Sequence, residues 1–330
     1  MKKRINWIDI AKGITIILMV IGHTIPYNSL NIFIFSFHMP LFVILSGITY
    51  KMPINKEDLK SRIKKYCKQL LIPYILTLLI CTIVFTYINN DFSFLKVVKQ
   101  FIKNLCWGNG CDYTLFGVNF NGVSPIWFLV ALFFSKIVFD VINYKINDKN
   151  LCNNFIIYSF LALTGVMVGK FIWLPQNIDL VLIFLLYLYI GFVFNKYIRD
   201  IKKYETVIFI VCFVIWTVCL GFNLNIELAV RSYPYGFLSI IESICASYSI
   251  IALCKIMEKS NVLQKIFTKI GKISLMILCI HSVEYVAFDW SVLSINIYLI
   301  DILRVIFVLI ISFTFVFIKN KILKVFKKPA

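Results

Sequence analysis

Acidic residues are scarce in this chain: 16 Asp and Glu stand against 34 Lys and Arg. Charge of either sign is thin, at 15% of 330 residues, while 60% are hydrophobic. Water-soluble domains run nearer about 25% charged and about 45–50% apolar. A soluble fold of this length has nowhere to hide so much apolar surface, so part of its solvent is lipid. No small-residue cleavage site follows the first apolar run, which therefore reads as a retained span and not as a secretion signal. Internal repeats and low-complexity tracts are missing, and no soluble catalytic domain is appended. Residues 1–330 read as a single integral-membrane domain with a short cytoplasmic tail at 319–330. Zinc-type Cys/His spacing is absent, so no metal site is expected.

Ten apolar runs remain, each of a length that crosses a bilayer: about 7–25, 31–50, 69–88, 124–141, 151–173, 178–194, 206–222, 236–257, 273–290 and 295–318. The fifth and sixth are split only by 174–177, which suits a tight hairpin. With Met1 inside, alternate connections are basic along the whole chain: 2–4, 51–68, Lys145 and Lys149, 196–203, 255–272 and 319–328. The other side keeps Lys96, Lys99, Lys103 and Arg231, with Lys170 near a helix end. This is the positive-inside pattern, and it predicts an all-α polytopic membrane protein with both termini cytoplasmic. It also accounts for the net charge of +18 without a nucleic-acid partner. The longest outside connection, 89–123, carries an amphipathic stretch at 94–101 that suits the membrane surface. It also holds Cys106 and Cys111, separated by a glycine-containing turn that permits a disulfide or leaves two free thiols.

Ionisable groups inside spans are costly and are functional candidates. Asp9, Lys12 and His23 fall in the first span, His38 in the second, and Glu242, His281, Glu284 and Arg304 in later ones. All 3 histidines of the protein are among them. Asp9 and Lys12 are three apart and share a helical face. Lys12 and His23 are eleven apart, which is about three turns and about 16 Å along one side of a helix. A snorkelling Lys12 and a capping His23 are the bland alternatives. Ser46-Gly47 is a small pair that admits a neighbouring helix closely.

Asp9-Ile-Ala-Lys12-Gly13 with His23, Phe37-His38-Met39-Pro40-Leu41-Phe42 and Ser46-Gly47 resemble the acyltransferase-3 family, in its fucose 4-O-acetylase-like branch. Arg62-Ile-Lys64-Lys65, Leu70-Leu-Ile-Pro-Tyr74, Pro125-Ile-Trp127-Phe128-Leu129 and Gly271-Lys-Ile-Ser274 followed by His281 extend the resemblance. One departure is Lys65, where the family often has a second arginine, which removes a bidentate guanidinium. The resemblance implies a ten-helix membrane O-acyltransferase with no bound cofactor. It implies a donor, usually acetyl-CoA, taken from the cytoplasm, and a hydroxyl acceptor on a cell-surface carbohydrate or glycolipid. The family's basic-residue-x10-His motif falls on Lys12 and His23.

On that basis Arg62, Lys64 and Lys65 are expected to meet the donor's phosphates, with Lys12, held by Asp9, steadying the arm or pyrophosphate. His23 is expected as general base or, less simply, as nucleophile, and His38 as an oxyanion donor or a partner of His23. Glu242, Trp127 and His281 are expected near the acceptor; pairing of Glu242 with Arg231 or Arg304, and a plain buried contact for His281, are their alternatives. The expected location is a bacterial cytoplasmic membrane. A transporter or flippase for an envelope intermediate is the rival reading, against which stand the missing repeat and the crowding of ionisable groups into two helices.

Overall fold

The computed structural model describes residues 5–23, 29–89, 92–146 and 150–326. Met1 to Arg4, Lys149, Lys327 and Lys328, which entered the topology expectation, lie outside the described residues. The chain forms α1 (Asn6–Gly22), α2 (Ser29–Phe35), α3 (His38–Ile48), α4 (Lys56–Tyr66), α5 (Ile72–Ile88) and α6 (Phe94–Trp107). A hairpin, β1 (Tyr113–Leu115) with β2 (Val118–Phe120), follows. Then come α7 (Trp127–Lys145), α8 (Leu151–Phe171), α9 (Ile178–Ile201), α10 (Glu205–Gly221), α11 (Phe237–Met257), α12 (Asn261–Lys272), α13 (Ser274–Ala287) and α14 (Ile297–Phe326).

Among the described residues, 8 helical segments are long and apolar enough to cross a membrane, and α12 with α13, bent by 64°, makes up to 9. Helix α1 has 17 residues, which is about 26 Å and slightly short of a hydrocarbon core of about 30 Å. Together with α1, these segments fall on the ten apolar runs, so the chain is an all-α, multi-pass membrane protein. Helix α10 buries only Trp216 and exposes Val207, Ile210, Val211, Val214 and Val218, a surface that only lipid solvates without cost. Trp216 anchors that helix by donating from Nε1 to Ser36 Oγ at 2.9 Å and stacking on Phe33.

Helix crossings at glycines bring backbones together. Where α1 meets α12, a β-carbon on Gly271 would overlap the Asp9 carbonyl oxygen, and one on Gly13 would overlap that of Phe267. Where α3 meets α9, Gly47 lies on the Leu188 carbonyl and Gly191 on that of Ile44. Small residues allow such contact, and in a membrane the resulting close packing is a main source of helix association.

Several elements differ from the runs read in the sequence. The second run is two helices: the chain breaks at Ser36–Phe37, so Pro40 falls in the first turn of α3, where its missing N–H costs no hydrogen bond. The basic stretch 51–68 is mostly helical. Asn55 caps α4 by accepting from the Asp58 amide, and Glu57 and Asp58 follow in the first turn. α4 then passes through a π-helical segment, Cys67–Leu71, into α5. The connection 174–177 is the tight hairpin expected, built on a 3-10 turn at Pro175–Asn177.

Helix α6 is strongly amphipathic, with exposed Phe94, Leu95, Ile102 and Leu105. The β hairpin turns through Phe116 and Gly117, both at positive φ, the pattern of a type I′ turn. A ladder of rings fastens this region: Phe120 stacks on Trp107 at 4.3 Å, Tyr113 lies parallel to Trp107 at 5.9 Å and to Trp173 at 4.8 Å. Cations close both ends, Lys103 over Phe120 and Arg231 over Trp173.

Candidate active site

Helices α1, α3, α7 and α13 and the turn of 108–123 surround one cavity of about 890 Å³. Its walls carry Lys12 and His23 from α1 and its cap, His38 from α3, and Trp127 and Lys136 from α7. Lys272, at the end of α12, and Asp112 and Glu227, from two connections, complete its charged lining. Trp127 and Lys136 are nine residues apart on α7, about 14 Å along the axis. Trp127 packs on Gly110, so the 108–123 turn covers the Trp127 end and the lysines gather at the other. The cavity is therefore bipolar: three lysines at one end, two carboxylates at the other.

Lys136 donates to Ser46 Oγ at 2.8 Å and lies over the Tyr66 ring at 4.9 Å. Asp112 accepts from the Gly122 amide at 2.7 Å, which shapes the covering turn. Burial lifts the Glu227 carboxyl above the usual carboxylate range. Cys106 and Cys111 are free thiols, and Cys111 lines the cavity.

His23 is the residue on which α1 ends, its amide still bonded to the Met19 carbonyl. Its ring lies against Phe35 (5.6 Å), His281 (5.6 Å) and Tyr285 (5.9 Å). His38 reaches the same cavity from the other flank of Phe35, at 5.0 Å from that ring. Its Nδ1 faces the Ile34 carbonyl at 3.1 Å. A carbonyl only accepts, so Nδ1 holds the proton and a neutral His38 offers Nε2 as an acceptor. An oxyanion-donor role therefore requires a protonated His38.

The structure does not bring the expected phosphate contacts of α4 to the cavity. Arg62 donates from Nε to Asp58 (3.1 Å), from Nη1 to the Lys51 carbonyl (2.6 Å) and to Asp140 (3.4 Å), and from Nη2 to the Met52 carbonyl (3.1 Å). It ties α4 to α7. Lys64 and Lys65 are exposed on α4 and are not among the lining residues. Asp9 is buried where α1 meets Gly271. Glu242 is buried outside the cavity and pairs with neither arginine: Arg231 binds Asp179 at 2.9 Å, and Arg304 binds Glu284 at 2.8 Å. His281 sits just behind His23, its Nδ1 on Glu284 at 2.9 Å.

Lys136, Asp140 and Asp179 are charged residues inside apolar runs, and that signal marks them in the sequence as surely as it marks Lys12. Arg231 is the hub of a buried network. Besides Asp179 it donates to Asn109 (3.1 Å) and Asn177 (3.0 Å), while Asn177 Nδ2 donates to the Gly108 carbonyl. The covering turn is thereby locked to the α8–α9 hairpin.

A nodulation protein of Mesorhizobium japonicum (strain LMG 29417 / CECT 9101 / MAFF 303099), NolL, is 30% identical over 146 residues, 41% of this chain. The match spans 35% of that relative's length, so the chain covers about a third of it. No solved structure matches. Residues 5–321 match the acyltransferase-3 family, described as an acyltransferase domain, so that nearly all of the bundle and every wall of the cavity fall inside the match. This multi-pass membrane protein belongs to the acyltransferase-3 family.

Proposed function

We propose that the protein transfers an acyl group, in the first instance acetyl, from acyl-CoA to a hydroxyl of a cell-surface carbohydrate or glycolipid. The observation that carries this reading is the bipolar cavity with His23 in its wall. CoA is anionic, and Lys12, Lys136 and Lys272 form the end that suits its phosphates. That end is the cytoplasmic one in this reading, because the basic connections 51–68 and 255–272 flank it. The acceptor occupies the end with Asp112, Glu227 and Trp127, where carboxylates accept from sugar hydroxyls and an aromatic face suits a sugar ring.

His23 removes the proton of the acceptor hydroxyl as its oxygen attacks the thioester carbonyl carbon. The tetrahedral oxyanion collapses, the C–S bond breaks, and the CoA thiolate takes the proton from the His23 imidazolium. The products are an ester and free CoA. His38, as an acceptor, orients the incoming hydroxyl or a water. Asp9 holds α1 at the Lys12 end.

His23→Ala is expected to lower turnover by about 10²–10⁴-fold, the contribution of a general base, while the protein still folds. The assay is CoA release from radiolabelled acetyl-CoA with a cell-envelope sugar fraction. Wild-type product formation by the variant would remove His23 from the mechanism. CoA binding without release from any acyl-CoA, together with movement of an envelope sugar across a vesicle, would favour a flippase.

A further inference from the structure

His281 is fully buried, and so are the groups behind it: side-chain exposure is 0% for His281, 1% for Glu284 and 6% for Arg304. The Glu284 carboxylate is saturated. It accepts from His281 Nδ1 at 2.9 Å, from Arg304 Nε at 2.8 Å and Nη2 at 3.1 Å, and from Trp290 Nε1. Arg304 in turn lies beside the Tyr285 ring, which edges both histidines.

An ionised carboxylate only accepts, so the proton of the His281–Glu284 contact belongs to Nδ1. Neutral His281 then has a bare Nε2. That nitrogen is buried and makes no hydrogen bond to any described residue, His23 as it stands included. A bare buried acceptor is costly unless a donor reaches it. The adjoining ring is His23, 5.6 Å away between centroids and tilted by 36°. Two imidazoles joined by an N–H···N bond of about 3 Å have centroids only slightly nearer than this, so a small turn of the His23 ring brings one of its nitrogens onto Nε2.

We propose that Arg304, Glu284 and His281 form a chain that fixes the tautomer of His23. With the His23 ring turned toward it, His281 Nε2 accepts from the N–H of His23, so the second His23 nitrogen is bare and faces the cavity. Glu284 stays ionised and His281 neutral throughout; no proton moves along the chain. When His23 takes the hydroxyl proton, the imidazolium keeps its hydrogen bond to His281. His281, Glu284 and Arg304 are positioning residues, and the inference rests on His23 being the base.

The protein has 3 histidines, so ¹⁵N-histidine NMR of the detergent-solubilised full chain gives a spectrum assignable by single substitutions. In the wild type, His281 is expected with Nδ1 protonated and Nε2 bare, and His23 in one tautomer. In His281→Phe, His23 is expected to become a mixture of tautomers, with kcat down about 100-fold and KM for the donor unchanged. His281→Gln, whose amide oxygen accepts, should restore part of kcat. A protonated Nε2 on His281 in the wild type, or an unaltered His23 tautomer in His281→Phe, overturns the chain. The wild-type spectrum decides the point even where His281→Phe does not fold. The turnover of His23→Ala bears on the base alone, because the resting tautomers of the wild type are read without catalysis.

Discussion

Lys136→Met separates the cavity lysines from the basic helix α4. In the absence of donor, Lys136 holds Ser46 Oγ and lies over Tyr66. A charge-assisted hydrogen bond to a phosphate contributes about 1.5–3 kcal/mol, and the cation–π contact it competes with about 0.5–1 kcal/mol. The net loss is therefore about 1–2 kcal/mol, which is about 5–30-fold in the Kd of CoA. Arg62→Met should behave oppositely. Every polar contact of Arg62 is structural, and its loss leaves Asp140, whose side chain is 0% exposed, without its guanidinium. The cost is stability, toward the lower end of about 3–5 kcal/mol for a broken buried pair, with CoA affinity unchanged. Calorimetric titration of CoA into each purified variant, beside thermal unfolding in the same detergent, reads both quantities. The reasoning fails if Lys136→Met binds CoA like the wild type, or if Arg62→Met loses CoA affinity at wild-type stability.

Asp179→Asn should cost about 3–5 kcal/mol and expose Cys111, which lines the cavity, to a thiol reagent faster than in the wild type. Asp179→Leu with Arg231→Met should recover part of that stability; equal labelling of Cys111 in all three proteins would show that the pair does not hold the covering turn. Gly271→Ala forces α12 off the Asp9 carbonyl and should cost about 1–3 kcal/mol, read as a lowered midpoint in thermal unfolding. Glu227 has a folded pKa raised by burial, so the folded state binds more protons than the unfolded one between the ordinary and the raised value. Stability attributable to Glu227 then falls as pH rises through that window. Glu227→Gln should flatten this part of the melting-temperature profile, and an unchanged profile would exclude the effect.

Much of the bundle was legible in the sequence because lipid constrains it twice, through run length and through loop charge. The close crossing at Gly47 and the hairpin at 174–177 were legible for a local reason: small residues and turn residues act over a few positions. The pairings were not. Arg231 and Asp179 are 52 residues apart and Arg304 and Glu284 are 20 apart, and nothing local selects one carboxylate over another. Glu242 was therefore a reasonable partner for either arginine on sequence grounds and is a partner of neither. Arg62 looked like a phosphate ligand because positive charge near a membrane carries no label distinguishing a ligand contact from a structural bond. Lys136 was visible as a charge within an apolar run, but its place beside Lys12 depends on how α7 meets α1 and α3.

The backbone irregularities point to the same cavity by a separate route. Inside a bilayer, non-helical backbone survives only where protein or a polar cavity satisfies it. The chain is irregular at the end of α1, at Ser36–Phe37, at the π segment Cys67–Leu71 and at the 64° bend of α12 into α13. Each irregularity is followed or flanked by a lining residue: His23; His38; Gln69 and Leu70; Lys272 and Ser274. Four irregularities from different segments converging on one space are hard to explain as packing accidents. They are better explained as the geometric condition for a polar reaction chamber. An unbroken α2–α3 would displace His38 from the space that Phe35 divides between the two histidines. The breaks, more than the charges, decide which ionisable groups of the bundle can share a substrate.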